Sequence, residues 1–500
     1  MERSKMSKLN GLAAKIQSYN PKADLDLIKK AFEFAEIAHA GQKRLSGDPV
    51  ISHPLAVAEI LADYRLDFAS IAAGLLHDTV EDAGVTFSEL EKEFGVEITN
   101  LVKGVTNISK IKLSGSSEEE FVENLRKMIL AMAKDLRVVL IKLADRLHNM
   151  QTLRYLPDEK QKRISRETLE VYAPLADRLG MGNMKGALED LAFPFLYPED
   201  FKWVSDYSKP YYKNTEEFLV KATRVAYRRL VEEEVKAQIS SRSKHLYSLW
   251  RKLLRPEIDK DISKVYDLVA MRVLVNDIKD CYAALGILHS IWKPVPAIGI
   301  RDFISQPKPN GYRSIHTNVF SLHERILEIQ IRTFEMHEQA ENGIAAHWFY
   351  TNAKGRGVND AILEKGKIFA PGNKLSWVKQ LVAWQRQVVD SQEFMDSLRF
   401  DALAERIFVF SPHGDVFDLP SGATPIDFAY GVHTDLGDEA DGAKVNGKLV
   451  SLDYKLKSGD MVEIIKKEGS KPSEGWLRFV VTNQAKRKIT QYLREKNGKL

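Results

Sequence analysis

The segment HDTVED, residues 77–82, sets three carboxylates and a histidine within apolar sequence. The apolar residues in and around it recur at the spacing of one helix face and predict a continuous helix: Ile71, Leu75, Leu76, Val80 and Val85. Carboxylates this close repel one another unless a cation or a shared proton lies between them. The fold must therefore bring a compensating charge here or leave this helix end in solvent, which is the usual outcome for an isolated His-Asp pair.

Two other segments can contribute to a shared ion site. His53 lies directly before Pro54, a residue that can occupy the first turn of a helix. Asp145 lies in the apolar segment VLIKLADRLHNM. With His77 and Asp78 they would give a mixed nitrogen and oxygen site from three helices, without cysteine. Such ligands suit Mn, Fe or Zn better than Ca and leave the choice of metal open.

Four residues match the metal ligands of the HD phosphohydrolase superfamily: His53, His77, Asp78 and Asp145. With HDTVED, the segment GQKRLSGDPVISHP resembles the hydrolase domain of the RelA/SpoT homologue family of alarmone enzymes. The resemblance implies that Mn²⁺ binds these four residues and that Glu81 and Asp82 orient or deprotonate the water that attacks ppGpp or pppGpp. It also implies that Arg44 packs on the guanine and that Asn149 helps to hold the nucleotide. From the residues alone, Arg44 could be a solvated loop residue and Asn149 a helix cap.

The length of 500 residues predicts about three domains, because one core rarely serves more than about 250–300 residues. Helical periodicity dominates to about residue 195, and strands alternate with helices from about residue 262. A loop is predicted at 350–360, a helix at 377–389, and short strands separated by turns at 403–466. The last segment, 467–500, carries a basic helical tail with Lys486, Arg487, Lys488 and Arg494.

Composition excludes several classes of protein. With 44% apolar and 28% charged residues, the chain has the balance of an ordinary soluble globular protein. Its single cysteine, Cys281, excludes a disulfide framework and a cysteine zinc cluster within the chain. No apolar run has the length of a signal peptide or a membrane span, which predicts a cytoplasmic location without a membrane partner.

A second group of residues is basic. In SRSKHLYSLWRKLLR, four residues are predicted to form one stripe of a helix that could hold phosphates: Arg242, Lys244, Ser248 and Lys252. A solvated basic helix is the alternative. The segment ISKVYDLVAMRVLVND reads as a strand, with Asp267 near its start and Arg272 within it.

A predicted strand and loop complete this group. In RILEIQIRT, alternation puts Glu328, Gln330 and Arg332 on one face, and such a polar face is either wet or catalytic. The preceding segment ISQPKPNGYRSIHTNVF is predicted to be a loop that offers an aromatic ring beside cations. Its candidate nucleotide-binding residues are Lys308, Asn310, Tyr312 and His316.

These residues resemble the synthetase domain of the same family, whose fold is similar to nucleotidyltransferases. The resemblance implies that Asp267 and Glu328 hold Mg²⁺ and that Glu328 activates the 3′-hydroxyl of GDP or GTP. It implies that this hydroxyl attacks the β-phosphorus of ATP and releases AMP. The residues that would bind ATP are Arg242, Lys244, Ser248, Lys252 and Arg272. Tyr312 would stack on the acceptor guanine, with Lys308, Asn310 and His316 in the same subsite.

One stretch departs from the family pattern. Bifunctional members usually carry Arg-Phe-Lys-Asp before this loop, whereas residues 299–302 read Gly-Ile-Arg-Asp, so the first cation is lost and the preference between GDP and GTP stays open. Residues 403–466 resemble a TGS domain. That resemblance implies contact of His433 with the 3′ end of uncharged tRNA at the ribosome; a packing appendage is the alternative.

The sequence thus predicts a multidomain protein with an all-α HD-type hydrolase domain at 1–195, connector helices and an α/β nucleotidyltransferase-like synthetase domain at 196–400, and a small β-grasp-like TGS domain at 403–466. The predicted function is that of a bifunctional alarmone enzyme of the stringent response. Two alternatives stay open: a hydrolase with a silent synthetase, and a ribosome- or tRNA-binding regulator with vestigial sites.

Overall fold

The computed structural model describes residues 2–109, 127–132, 134–296, 299–308, 311–322, 325–343, 345, 406–467 and 469–497. These residues form two compact units, one ending at Ala345 and the other beginning at Arg406. The loop predicted at 350–360 and the helix predicted at 377–389 lie outside the described residues. Within the described ranges, no helix is long and apolar enough to cross a membrane.

The first part of the larger unit is mostly helical. Its helices are α1 (Glu2–Tyr19), α2 (Leu25–Ala38), α3 (Ser52–Asp63), α4 (Phe68–Leu76), α5 (Thr79–Asp82), α6 (Phe87–Ser109), α7 (Arg137–Gln151), α8 (Asp158–Glu167), α9 (Ala173–Arg178) and α10 (Gly182–Leu196). A 3₁₀ turn (Leu153–Tyr155) follows α7, and a π-helical turn (Thr168–Tyr172) joins α8 to α9. Asp24 and Asp67 begin α2 and α4 because each carboxylate accepts a hydrogen bond from a backbone N–H of the first turn.

Helices α3 and α4 approach closely at Gly74. A Cβ atom there would collide with the Leu61 side chain. This approach brings His53, near the start of α3, beside His77, which directly follows α4; their ring centroids are 5.2 Å apart. A side chain at position 74 would therefore displace the Leu61 side chain from the contact between α3 and α4.

The predicted continuous helix through HDTVED is wrong. Helix α4 ends at Leu76, His77 and Asp78 form a turn, and α5 begins at Thr79. His77 Nδ1 and Thr79 Oγ1 donate to the carbonyl oxygens of Gly74 and Leu76, both at 2.7–2.8 Å. Side chains that bind nearby carbonyls offer the backbone an alternative to the regular helical ladder. The turn aims His77 and Asp78 at the centre of the helical bundle.

The second part of the larger unit surrounds a five-stranded sheet. Its strands are β1 (Ala237–Ser243), β2 (Val269–Val275), β3 (Ile300–Asp302), β4 (Ile315–Phe320) and β5 (Ile326–Thr333). Its helices are α11 (Pro198–Glu232), α12 (Leu246–Leu253), α13 (Ile278–Ile291) and α14 (Phe334–Asn342), with a 3₁₀ turn at Ile262–Lys264. The strand order is β1-β2-β5-β4-β3, and only β2 and β5 pair in parallel.

The core of this part includes the long helix α11. Leu219, Ala222, Ala226 and Leu230 are buried at the spacing of one helix face and pack with the apolar residues of the sheet. The register aligns Arg272 with Gln330 and Ala270 with Glu328. Glu328, Gln330 and Arg332 are all buried, so the polar face of β5 is not wet.

Three sequence expectations for this part were wrong in detail. Arg242 lies on β1 and Lys244 follows it, so neither belongs to the helix that carries Ser248. Asp267 lies in a turn two residues before β2, and His316 lies on β4 and not in the preceding loop. The local patterns misplaced Asp267 and His316 for two reasons. Turn residues precede β2, and pairing with β5 extends β4 back to Ile315.

The two parts of the larger unit meet at Gly343, directly after α14. Its φ of +56° lies in the left-handed region, and a Cβ atom there would collide with the carbonyl oxygen of Leu179. Both constraints require glycine. The close approach holds the end of α14 against the loop between α9 and α10.

The smaller unit contains β6 (Arg406–Phe410), β7 (Val416–Pro420), β8 (Ala440–Val445), β9 (Lys448–Val450) and β10 (Val462–Lys466). Its helices are α15 (Pro425–Val432), α16 (Thr434–Asp438) and α17 (Asn483–Asn497), with a 3₁₀ turn at Glu474–Arg478. The β6–β7 hairpin and the β10-β8-β9 sheet pack on α15. Asp427 forms a capping box with Thr424 and also accepts from the backbone N–H groups of Val481 and Thr482.

Candidate active sites

The four predicted metal ligands converge in the helical part. One ligand atom each of His53, His77 and Asp78 lies within 4.8 Å of the others. His53 Nε2 is 3.4 Å from Asp78 Oδ2 and 3.2 Å from Asp145 Oδ1. His77 Nε2 is 3.0 Å from Asp78 Oδ1. Two helices, α3 and α7, and the turn after α4 thus direct two imidazoles and two carboxylates at one point.

A divalent metal fits this cluster. His77 Nε2 is buried and has no hydrogen-bond partner among the described residues. Its Nδ1 donates to the Gly74 carbonyl, which directs Nε2 at the carboxylates of Asp78 and Asp145, where a metal would take the place of the Nε2 proton. A metal-binding histidine is commonly oriented in this way by a backbone carbonyl. The unpaired nitrogen and the two adjacent carboxylates form a donor set of the kind that binds divalent metals.

The electrostatics of the cluster are those of tightly paired charges. Burial opposes a charge on His77, but the neighbouring Asp78 and Asp145 outweigh it and raise the pKa of His77 to about 9. Burial likewise opposes ionisation of Asp78, but His77 and His53 lower its pKa to about 2. For Asp145, Lys142 is the strongest influence after burial and holds the pKa well below its usual range. Both carboxylates are therefore ready to bind a cation.

Two residues without a predicted role support the ligands. Lys142 Nζ lies 2.8 Å from Asp145 Oδ2, and His148 Nδ1 lies 2.7 Å from His53 Nδ1. Burial and His53 lower the pKa of His148 to about 4, so it is neutral near pH 7. Their positions three residues before and after Asp145 on α7 could have indicated these roles, because such residues share a helix face.

A chain of hydrogen bonds links Arg44 and Asn149 to Asp145, one of the predicted metal ligands. Asn149 Nδ2 donates to Asp145 Oδ1 at 2.6 Å, and Asn149 Oδ1 accepts from Arg44 Nη2 at 3.3 Å. Arg44 Nη2 also donates to Thr152 Oγ1. Asn149 lies within α7 and not at its end, so the helix-cap alternative is wrong.

Glu81 and Asp82 line the same cavity as the cluster. The cavity has a volume of about 590 Å³. Burial is the main cause that raises the pKa of both carboxyls, and the nearby Asp78 raises them further. The wall also contains the cations Lys142, Arg146 and Arg163. The cavity therefore combines proton acceptors with groups that bind phosphate.

The second group of predicted residues centres on Asp267. Lys244 Nζ and Lys252 Nζ each lie 2.8 Å from one of its carboxylate oxygens. Burial opposes ionisation, but the two lysines lower the pKa of Asp267 to about 2. Ser248 Oγ lies 3.5 Å from Glu189 Oε2, and Arg242 is partly buried on β1. The structure thus brings the predicted phosphate-binding lysines onto a predicted metal ligand.

Glu328 lies at the end of a chain of polar contacts. Tyr312 Oη lies 2.8 Å from His316 Nε2, and His316 Nδ1 donates to Glu328 Oε1 at 2.9 Å. Arg301 Nη2 donates to the same oxygen at 3.3 Å. After burial, His316 is the strongest influence on Glu328, and it lowers the pKa of the carboxyl. The cation retained in the altered stretch 299–302 therefore contacts the predicted catalytic carboxylate.

The remaining predicted residues are less connected. Lys308 Nζ lies 5.2 Å from the centroid of the Tyr312 ring, and burial lowers its pKa. Asn310 lies outside the described residues. His433 follows α15 in the smaller unit, where its side chain is 70% exposed and Nδ1 accepts from the Asp435 backbone N–H.

Two groups of residues beside the sheet were missed. Glu341 and His337, on α14, both contact Arg332. Glu341 also contacts Arg272. Asp190, on α10, contacts the start of α12. The helical spacing of His337 and Glu341 on α14 was a weak signal for the first group. No local pattern could indicate the contact of Asp190 on α10 with α12.

Family models match three ranges of the chain. Residues 31–182 match an HD domain, residues 241–355 match the region found in RelA / SpoT proteins, and residues 407–466 match a TGS domain. These ranges contain the candidate metal cluster, the polar face of the five-stranded sheet and the β strands of the smaller unit. Each predicted domain type is therefore present.

Named relatives align with most of the chain. It is 45% identical over 483 residues to a GTP pyrophosphokinase from Myxococcus xanthus, covering 96% of this chain and 62% of the relative. It is 45% identical over 486 residues to the bifunctional (p)ppGpp synthase/hydrolase RelA from Mycobacterium tuberculosis, covering 97% and 64%. It is 45% identical over 469 residues to a guanosine-3′,5′-bis(diphosphate) 3′-pyrophosphohydrolase from Aquifex aeolicus, covering 94% and 64%.

The chain spans less than two thirds of the length of these relatives. The three family models match successive ranges of the chain, first the HD domain, then the RelA / SpoT region and then the TGS domain. The predicted fold class, with a helical HD domain, a synthetase domain on a mixed sheet and a TGS domain, is confirmed. The chain belongs to the RelA/SpoT homologue family.

Proposed function

We propose that this chain hydrolyses and synthesises (p)ppGpp at two separate sites. The observation that carries the proposal is that one compact unit contains two independent groups of carboxylates, each beside cations suited to phosphate. The first is the cluster of His53, His77, Asp78 and Asp145; the second is the pair Asp267 and Glu328. We assign hydrolysis to residues 1–195, synthesis to 196–400, a TGS domain to 403–466 and a basic helical tail to 467–500.

For hydrolysis, a divalent metal held by the cluster would act as a Lewis acid that makes water acidic enough to lose a proton near neutral pH. We assign Mn²⁺ to this site. Glu81 and Asp82 accept the proton, and their raised pKa values bring them closer to the working pH. Arg44 and Asn149 hold the guanosine, and the cations of the cavity wall bind its phosphates.

For synthesis, Glu328 accepts the proton of the acceptor's 3′-hydroxyl while that oxygen attacks the β-phosphorus of ATP. The bond between the α- and β-phosphates breaks, the pyrophosphate is transferred, and AMP leaves. Mg²⁺ at Asp267 and Glu328 would neutralise charge on the phosphates. His316 orients Glu328 through its 2.9 Å hydrogen bond.

Substrate binding in the synthetase uses the residues around these two carboxylates. Tyr312 stacks on the guanine of GDP or GTP, beside Lys308 and Asn310. The ATP-binding residues are Arg242, Lys244, Ser248, Lys252 and Arg272. Lys244 Nζ and Lys252 Nζ both lie 2.8 Å from the Asp267 carboxylate, so the proposed phosphate-binding lysines and the proposed magnesium ligand are within reach of the same phosphates.

The altered stretch 299–302 favours a second candidate, a hydrolase with a weak synthetase. Only Arg301 remains of the two cations typical of bifunctional relatives, and it contacts Glu328. In the smaller unit, the exposed His433 supports contact with uncharged tRNA at the ribosome. Binding of labelled uncharged tRNA to the wild type and to His433→Ala tests this contact.

One experiment tests both catalytic assignments. Labelled ATP with GDP or GTP and Mg²⁺ measures synthesis, and labelled ppGpp with Mn²⁺ measures hydrolysis. We expect Asp78→Ala to reduce hydrolysis by at least about a hundredfold and to retain synthesis, because it removes a ligand. Glu328→Ala should do the reverse. Loss of both activities in either folded variant contradicts separate sites, and a wild type that only hydrolyses supports the second candidate.

A further inference from the structure

A cluster of two buried arginines, Arg272 and Arg332, and two half-buried residues, His337 and Glu341, lies where β2 and β5 meet α14, and most of it has no role in the mechanism above. Glu341 Oε1 accepts from Arg332 Nη2 at 2.6 Å and lies 3.1 Å from Arg272 Nη2. His337 Nδ1 accepts from the same Arg332 nitrogen at 2.7 Å. One carboxylate on α14 therefore holds guanidinium groups from two neighbouring strands.

The cluster is a costly arrangement. The Arg332 side chain is completely buried, and its Nε and Nη1 have no hydrogen-bond partner in the part of the chain that is described; the same is true of Arg272 Nε. Two guanidinium groups share one carboxylate, and burial together with Arg332 lowers the pKa of Arg272 to about 10. Buried ion groups of this kind add little stability compared with apolar packing. Stability alone does not explain why the sheet carries them.

The two arginines lie next to different subsites of the proposed reaction. Arg272 belongs to the proposed ATP subsite and pairs across β1 and β2 with Ser240, two residues from Arg242. The Arg332 guanidinium lies 6.0 Å from the centroid of the Tyr312 ring, the proposed support of the acceptor guanine. At this distance a cation still interacts with an aromatic face. Glu341 thus contacts one residue on each side of the synthetase site.

We propose that Glu341 is a positioning residue that fixes both nucleotide subsites of the synthetase, through Arg272 on the ATP side and through Arg332 and Tyr312 on the acceptor side. This inference rests on the proposed synthetase function. Without the carboxylate, the two buried guanidinium groups repel each other. Arg272 and the support behind Tyr312 then lose their fixed orientation, which weakens the binding of both nucleotides.

Glu341→Gln removes the charge with little change of volume, and Glu338→Gln is a matched control on the same helix. Glu338 pairs with Arg65 and Asn342 and contacts neither arginine of the cluster. We would measure Kd for GDP and for a non-hydrolysable ATP analogue by calorimetry, and KM for ATP and GDP in synthesis. Glu341→Gln should raise each value about tenfold or more, because it removes charge-assisted hydrogen bonds. Glu338→Gln should leave them within about twofold.

Arg332→Lys tests the acceptor side alone, and it replaces Glu341→Gln as the test if that variant does not fold. It leaves the Arg272–Glu341 pair in place, so only the affinity for GDP should fall. The inference is overturned if Glu341→Gln behaves like the control, if it lowers only kcat and the melting temperature, or if Arg332→Lys leaves GDP binding unchanged. Wild-type protein that binds both nucleotides without making (p)ppGpp contradicts the proposed function but leaves this comparison valid.

Discussion

At the scale of single residues, Asn149 joins the proposed nucleotide-binding side of the cavity to the proposed metal ligands. Its amide contacts Asp145 through Nδ2 and Arg44 through Oδ1. An amide can do both because it carries donors and an acceptor at once. Neither aspartate nor leucine, which are similar in size, could replace it without leaving one partner unpaired.

We therefore expect Asn149→Ala to slow hydrolysis of ppGpp about tenfold or more, since it removes hydrogen bonds to charged groups. Synthesis should not change. Gln151→Ala, at an exposed position near the end of the same helix, is the control. Steady-state hydrolysis rates in the presence of Mn²⁺ check the prediction, and equal rates for both variants would exclude a role for the Arg44–Asn149–Asp145 chain.

At the scale of elements, helix α12 depends on a cap from another part of the chain. Its own N-cap residue, His245, forms no side-chain cap. Instead Asp190, on α10, accepts from the Tyr247 backbone N–H at 3.0 Å and from His245 Nδ1 at 2.7 Å. Gly186 makes room for the His245 ring, which a Cβ atom there would overlap. The helix that carries Ser248 and Lys252 is thus fixed from the helical part of the unit.

Removing this cap should weaken ATP binding. An N-cap contributes about 1 kcal/mol, so Asp190→Ala should raise KM for ATP in synthesis about fivefold while hydrolysis is retained. Asn183→Ala, at an exposed position on the same helix, should leave both activities unchanged. If Asp190→Ala alters hydrolysis and synthesis equally, the residue supports the whole unit and not α12 in particular.

The same scale explains where sequence patterns were sufficient. The apolar periodicity predicted helical character around the metal cluster, and alternation predicted that Glu328 and Arg332 share a face of β5. The break at His77 was missed because it depends on side chains that bind backbone carbonyls. The contacts of Glu341 and Asp190 were missed because they join elements distant in sequence, which no local pattern encodes. The domain types came from motif resemblance and not from periodicity.

At the scale of the whole molecule, the smaller unit has its own core. Among the residues that the structure describes there, the buried apolar ones run from Ile407 to Ile489. Asp427 ties the start of α15 to Val481 and Thr482, so the segment before α17 belongs to the same cooperative structure. The described residues of the smaller unit therefore contain a core of their own.

A fragment of residues 383–500 should fold alone. We expect dispersed amide signals in its NMR spectrum and a single thermal transition. Asp427→Ala should lower its free energy of unfolding by about 2 kcal/mol or more, because several buried donors lose their acceptor. Asp453→Ala, on the surface loop after β9, is the control. A fragment without a cooperative transition would mean that its core requires the larger unit.

The glycine after α14 has a consequence for engineering. Position 343 has no room for even a methyl group beside the Leu179 carbonyl. The helical part and the sheet part of the larger unit therefore require glycine at this contact. A chimera that joins these halves from two relatives must inherit that tight junction intact. The smallest residue of the chain thereby limits which relatives can supply the two parts of such a chimera.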